Sequence, residues 1–157
     1  MPLIVWTDGM SVGVKLLDND HKKLVLLVNE LHDAVVAGRA RPELDTLLEG
    51  LVVFTRFHHA QEEQLLDESG YQGSAAHQLE HDQLLDQLMD LQSHFTSSAE
   101  LASDLDVMNR LRVWLLEHIQ DSDHEFVSHL KEKRVESSRV AWSTPDHVAQ
   151  ESPAIQP

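Results

Sequence analysis

The chain has 157 residues, 41% of them hydrophobic and 25% charged, which is enough for one packed domain and a short extra segment. It carries 12 Lys and Arg residues against 27 Asp and Glu residues, and this net charge of -15 argues against nucleic acid and anionic membrane surfaces as partners. The absence of cysteine excludes disulfides, thiolate metal sites and cysteine nucleophiles, whereas 11 histidines are an unusually large number.

The N-terminal stretch MPLIVWTDGM has no basic leader and only a short apolar run, so it does not resemble a signal peptide. No segment approaches the ~20 apolar residues that a transmembrane helix needs. We therefore expect a cytoplasmic protein without membrane insertion. Trp6 in this arm is expected to pack on the folded domain.

Two helices are predicted in the first half of the chain. The first covers about residues 18–37, and its apolar side chains recur with the helical period: Leu24, Val28, Leu31 and Val35. The second covers about residues 42–66 and begins at Pro42, a residue suited to a first helical turn. The apolar face of the second helix continues through His58 and Glu62, which therefore point inward.

Two further helices are predicted over about residues 74–95 and 104–133. One face of the third carries His77 and His81 together with leucines, and the fourth carries Trp114, Leu115 and His118. Four amphipathic helices joined by short loops predict an all-α, up-down-up-down antiparallel four-helix bundle over residues 1–135. Residues 136–157 are polar and proline-bearing, which favours a flexible C-terminal tail. The alternative is a docking segment that uses Trp142.

The inward faces of all four helices carry side chains able to bind a metal. A single buried histidine is more often a hydrogen-bonded core residue than a ligand. Five imidazoles and two carboxylates buried together would cost about 1–3 kcal/mol for each unsatisfied group. A metal centre is therefore predicted.

The number of donors indicates two ions. Seven ligands exceed the four that a structural zinc uses, whereas two ions that share bridging carboxylates can use all of them. Imidazole and carboxylate donors without thiolate suit iron or manganese. The Glu-x-x-His signature of ferritin-like proteins does not occur in the sequence. A histidine-rich, carboxylate-poor site favours gentler chemistry than hydroxylation.

Five segments, in order and spacing, resemble the bacterial hemerythrin family. They are W at 6, LLDNDHKKLVLLVNEL at 16–31, HHAQEE at 58–63, GYQGSAAHQLEH at 70–81 and WLLEHIQDSD at 114–123. The resemblance covers about residues 5–130. It implies a non-haem site of two iron ions with an oxo or hydroxo bridge, which binds one dioxygen molecule reversibly.

The resemblance also implies a ligand for each iron. His77, His81 and His118 would hold one iron, and His21 and His58 would hold the other, which keeps an open position for dioxygen. Glu62 and Asp123 would bridge the two ions. The matching walls of the oxygen pocket are Leu24, His59, Trp114, Leu115 and Ile119.

Asp123 conflicts with regular helix geometry. It lies five residues after His118, roughly 140° away around an α-helix, and spacing alone favours Asp121 or Ser122. The two indications agree only if the helix is locally widened. We therefore predict a π-type turn between residues 118 and 123, because such turns cluster at functional sites.

His59 replaces the phenylalanine that the family usually has in the pocket wall. An imidazole there could donate a hydrogen bond to bound dioxygen or admit water, which would speed autoxidation. Alternatively, His59 pairs with Glu63, one turn further, near the surface. The remaining histidines are expected at the surface or at helix edges: His32, His94, His124, His129 and His147.

Three functions are compatible with this sequence. The first is an oxygen-binding protein for storage, delivery or buffering, working with an oxygen-using enzyme or a redox partner as a monomer or weak oligomer. The second, suggested by His59, is a di-iron peroxidase or oxidase. The third is an oxygen or redox sensor, which the sequence disfavours because it carries no second output domain.

Overall fold

The structure, a computed structural model, describes residues 1–97, 101–132 and 140–142. Helix α1 covers Lys15–Val36, α2 covers Arg41–Ser69 and α3 covers Ser74–Ser97. The fourth rod of the bundle is made of α4 (Leu101–Glu117), a π-helical segment (His118–Asp123) and α5 (His124–Glu132). A short 3₁₀ helix at Asp8–Met10 lies in the N-terminal arm.

The helices pack in a closed ring in which α1 contacts α2, α2 contacts α3, and α4 contacts both α3 and α1. Short loops make the neighbours antiparallel, so the predicted up-down-up-down bundle is confirmed. The predicted apolar stripe of α1 is buried in its core. Among the described residues, none of the helices combines the length and the apolar character required to cross a bilayer.

The helices are longer than their patterns predicted. Helix α1 begins at Lys15 rather than at residue 18, and the fourth rod begins at Leu101 rather than at residue 104. Helix α2 continues past the predicted end at residue 66 to Ser69, because the chain first turns at Gly70, which adopts the left-handed conformation with φ 65°. The predicted last residue of the fourth helix, Lys133, lies outside the described residues.

The N-terminal arm is fastened to α1 by polar contacts. The side chain of Asn29 accepts a hydrogen bond from the Ile4 amide at 2.9 Å and donates one to the Ile4 carbonyl at 2.8 Å. The Asp18 carboxylate accepts from the Val12 amide at 2.8 Å. Trp6 packs against the core, as the sequence predicted.

Residues 140–142 lie against the start of α1. Trp142 forms an antiparallel β-bridge with Val14, and the Lys15 amide donates to the Ala141 carbonyl at 2.7 Å. The Lys131 ammonium lies 5.7 Å from the centre of the Trp142 ring. These contacts match the docking alternative for this part of the tail; residues 136–139 and 143–157 lie outside the described residues.

Candidate metal centre

The seven side chains that the sequence assigned to a metal centre meet in the middle of the bundle. Helix α1 contributes His21, α2 contributes His58 and Glu62, α3 contributes His77 and His81, and the π-helical segment contributes His118 and Asp123. Each residue is at most 5% exposed. Four separate rods thus bring their polar side chains to one buried location.

The donors form two groups that share their carboxylates. One group contains three histidines, His77, His81 and His118, and the other contains His21 and His58. Glu62 and Asp123 belong to both groups, and the ligand atoms within each group lie within 4.8 Å of one another. A pair of shared carboxylates is the arrangement expected for two adjacent ions.

Each shared carboxylate directs one oxygen to each group. Glu62 Oε1 lies 3.2 Å from His58 Nε2, and Glu62 Oε2 lies 3.0 Å from His81 Nε2. Asp123 Oδ2 lies 3.0 Å from His21 Nε2, and Asp123 Oδ1 lies 3.1 Å from His118 Nε2. Both carboxylates are therefore oriented to bridge.

The helix that carries His118 and Asp123 is widened between them. The π-helical segment begins at His118 and ends at Asp123, with ordinary α-helical dihedral angles at the flanking residues Glu117 and His124. The π-type turn predicted for residues 118–123 is confirmed. The five-residue spacing thereby places both side chains on the same face of the rod.

The polar atoms at the centre fit bound cations. Within the described residues, six buried atoms of the cluster make no well-aligned hydrogen bond: His21 Nδ1 and Nε2, Glu62 Oε1, His118 Nε2, and Asp123 Oδ1 and Oδ2. All of them except His21 Nδ1 nevertheless lie 3.0–3.2 Å from an atom of opposite charge in the cluster. Leaving buried polar atoms unpaired is costly, and cations that accept these lone pairs remove the cost. Nitrogen and oxygen donors without sulfur suit iron.

Without a metal ion, protonated histidines supply the positive charge that balances the buried carboxylates. Burial opposes a charged imidazolium, but Glu62 and Asp20 outweigh it and raise the pKa of His58 to about 10. Burial also opposes the charged form of Glu62 and by itself would raise the pKa of this carboxyl group. The surrounding histidines outweigh burial and hold the pKa well below its ordinary value. The metal-free cluster is therefore an imidazolium–carboxylate network, and binding of cations must release its protons.

Three further carboxylates orient the histidines from outside the cluster. The Nδ1 atoms of His58, His81 and His118 lie 3.1 Å from Asp20, 2.9 Å from Glu63 and 2.8 Å from Glu80, respectively. Since Nδ1–H donates to a carboxylate, Nε2 is left free to bind a cation. Sequence reasoning missed these residues, although each of them directly neighbours a predicted ligand in the chain: His21, Glu62 or His81.

Loss of one orienting carboxylate should weaken metal binding without destroying the centre. Glu80→Gln replaces the acceptor that faces both His118 Nδ1 and the Ser122 hydroxyl. We expect a 10–100-fold lower affinity for ferrous iron, on the order of other such carboxylates, measured by competition with a chelator. Asp82→Asn, an exposed change on the same helix, is the matched control and should leave the affinity unchanged.

His124 stabilises the widened turn. Its Nδ1–H donates to the Ile119 carbonyl, five residues earlier, at 2.8 Å, while its backbone N–H bonds to the Asp121 carbonyl. The sequence predicted only an edge histidine here. A half-buried edge position is what the structure shows, but the ring also supplies a side-chain donor inside the distorted helix. His147 lies outside the described residues.

His59 is turned into the bundle rather than toward the surface. It is 4% exposed, and its ring stacks on His81 with centroids 3.7 Å apart and planes at 4°. Glu63 pairs with His81 instead, so the alternative pairing of His59 with Glu63 is wrong. Within the described residues, His59 Nδ1 is buried without a hydrogen-bond partner.

The other predicted pocket walls lie around the cluster but not in one cavity. Leu24 and Leu115 line a small cavity between the helices, with room for about one water-sized molecule. Ile119 is fully buried, and half-buried Trp114 stacks on His118 with ring centroids 5.2 Å apart. His59, Trp114 and Ile119 are not among the residues that line this cavity.

The fold and the cluster define a four-helix-bundle metal-binding protein with histidine and shared carboxylate ligands. Residues 12–130 match the Hemerythrin HHE cation binding domain. The chain therefore belongs to the hemerythrin family.

Relatives and solved structures extend this likeness over most of the chain. It is 32% identical to the bacteriohemerythrin of Pseudomonas aeruginosa over 127 residues, 81% of each chain. It is 34% identical to that of Methylococcus capsulatus over 124 residues, 78% of this chain and 93% of the relative. A crystal structure of wild-type hemerythrin superposes with a TM-score of 0.71 at 32% identity, covering 82% of this chain and 98% of the other.

Proposed function

We propose that the cluster binds two iron ions and that the protein binds dioxygen reversibly. His77, His81 and His118 would hold one iron, His21 and His58 would hold the other, and Glu62 and Asp123 would be shared between them, with a solvent-derived oxo or hydroxo group. The observation that carries this proposal is the shared position of the two carboxylates, whose oxygens divide between the two histidine groups. Membership of the hemerythrin family supports the choice of iron and of dioxygen.

The unequal histidine groups indicate where dioxygen binds. Counting the shared carboxylates, one group offers five protein ligands and the other offers four. An ion held by His21 and His58 would therefore keep one more position for an external molecule. When bound, the iron pair would supply the electrons for reversible dioxygen binding. Leu24 and Leu115 present apolar side chains to the small cavity between the helices.

Repeated oxygenation tests this proposal. The reduced, iron-loaded protein should be colourless, should colour in air, and should bleach again when oxygen is removed, through many cycles. Such behaviour fits storage, delivery to an oxygen-using enzyme, or buffering. Irreversible oxidation to the ferric state within one exposure, with consumption of peroxide in the presence of an electron donor, would contradict it.

A second candidate function, a di-iron peroxidase or oxidase, rests on His59. Burial, together with the neighbouring imidazoles of His81 and His58, lowers the pKa of His59 to about 2. The ring is therefore neutral at physiological pH and offers one N–H donor and one acceptor nitrogen. A polar group of this kind inside the centre can attract water and weaken the retention of dioxygen.

His59→Phe should slow autoxidation. Removal of a hydrogen bond worth about 1 kcal/mol corresponds to roughly a fivefold lower rate constant, read from the loss of the oxygenated spectrum in air. His32→Phe, the same substitution at a half-buried site near the end of α1, is the matched control. If both variants autoxidise at the wild-type rate, His59 does not limit the retention of dioxygen.

A further inference from the structure

A groove between α1 and α2, on the outside of the bundle, carries unusual apolar exposure. Its walls include Leu27 from α1 and Gly50, Val53, Phe54 and Phe57 from α2. Val53 is 63% exposed and Phe57 is 55% exposed. Adjacent large apolar side chains at this exposure indicate a surface that another molecule covers.

No contact among the described residues explains why residue 50 is a glycine. It lies in the interior of α2, a position where glycine weakens a helix. A Cβ atom built on Gly50 would meet no other atom within 4 Å, so no neighbouring group in the described structure requires its small size. A missing side chain in the floor of an open groove allows a helix of another molecule to approach closely.

Two opposite charges stand on the two walls of the groove. Lys23 lies on α1 and Glu49 on α2, and within the described residues neither has an ion-pair partner. Helix α1 ends at Val36 and the antiparallel helix α2 begins at Arg41, so two residues lie side by side when their numbers add up to about 77. Lys23 therefore lies beside residue 54 of α2. Glu49 is roughly five residues, or ~7.5 Å along the helix axis, from that point.

We propose that this groove is a two-fold interface between two copies of the chain. Lys23 and Glu49 lie diagonally across the groove from each other. A two-fold axis that passes through the groove floor near Gly50 and Val53 places Lys23 of one copy opposite Glu49 of the other. Each lysine then meets the glutamate of the other copy, and the pair forms twice. The apolar side chains of the groove, including Phe57, are covered by the same contact.

Complementary charges favour this occupant. Each chain carries a net charge of -15, which repels a second copy, so a contact between two copies needs paired opposite charges. Lys23 and Glu49 supply two such pairs in the groove. The face formed by α1 and α2 is ~33 Å long and ~20 Å wide, about 650 Å² per copy in projection. A contact over the whole of this face would bury ~1,300 Å² for the pair, close to the ~1,200 Å² lower limit of a specific, stable interface.

Sedimentation velocity of the full-length, iron-loaded protein, from about 1 μM to 1 mM, tests the proposal. The wild type should change from monomer to dimer with a Kd on the order of micromolar. Val53→Glu should weaken the dimer at least about 100-fold, because it buries an unpaired charge. Leu79→Glu, at an equally exposed apolar position on α3, should have no effect.

Charge reversal tests the two-fold arrangement itself. Lys23→Glu and Glu49→Lys should each weaken association about tenfold, and the double variant should restore it. A wild type that stays monomeric throughout this range, or a dimer that Val53→Glu leaves intact, would overturn the interface. Single reversals without effect, or a double variant that fails to recover, would overturn the two-fold pairing. None of these outcomes depends on dioxygen binding, so the proposal stands or fails separately from the metal centre.

Discussion

Glu62→Gln should abolish the paired centre. The substitution keeps the size of the side chain but removes the negative charge that faces four histidines, His21, His58, His77 and His81, at 3.0–3.5 Å. We expect iron content to fall from two ions per chain to fewer than one, measured by metal analysis after anaerobic loading and desalting. The oxygenated spectrum should be lost with it.

The neighbouring residue supplies the control. Glu63→Gln makes the same chemical change one position further, where the carboxylate contacts His81 Nδ1 from outside the cluster. This variant should retain two ions per chain, with an affinity lowered 10–100-fold, on the order seen for other orienting carboxylates. Equal iron content in the Glu62→Gln variant and the wild-type protein would contradict a bridging role for Glu62.

Removal of iron should destabilise the bundle. The metal-free protein buries an imidazolium–carboxylate network instead of a ligated pair of ions, and bound metal at about 1,000 times its Kd contributes roughly 4 kcal/mol. For a chain of 157 residues this corresponds to a Tm lower by about 10 °C. Calorimetry of the loaded and chelated forms measures the difference.

Chelation of the Glu62→Gln variant separates this linkage from other effects of the chelator. The variant should already have the low Tm and should not respond to chelation. A metal-free wild type as heat-stable as the loaded protein would show that site formation and bundle packing are independent.

The sequence predicted which side chains meet in the middle of the bundle because their signal is periodic. His58 and Glu62 continue an apolar stripe, so helical spacing alone turns them inward. The spacing of His118 and Asp123 was informative because it violates that period. A widened turn was the one way to reconcile the two residues, and the π-helical segment is found there.

Other features depend on contacts between distant parts of the chain. Glu80 lies 38 residues before His118 in sequence, and no pattern within α3 shows that its carboxylate faces a histidine on the fourth rod. The docking of residues 140–142 on Val14 is likewise a contact between the two ends of the chain. The inward rotation of His59 follows from stacking on His81, which required the relative position of α2 and α3.

Anaerobic titration of the metal-free protein with ferrous iron tests the paired centre most directly. Two histidine groups joined by Glu62 and Asp123 predict a saturation break at two ions per chain. A break at one ion per chain, with further iron remaining unbound, would show that the seven side chains form a single-ion site and would contradict the proposed centre.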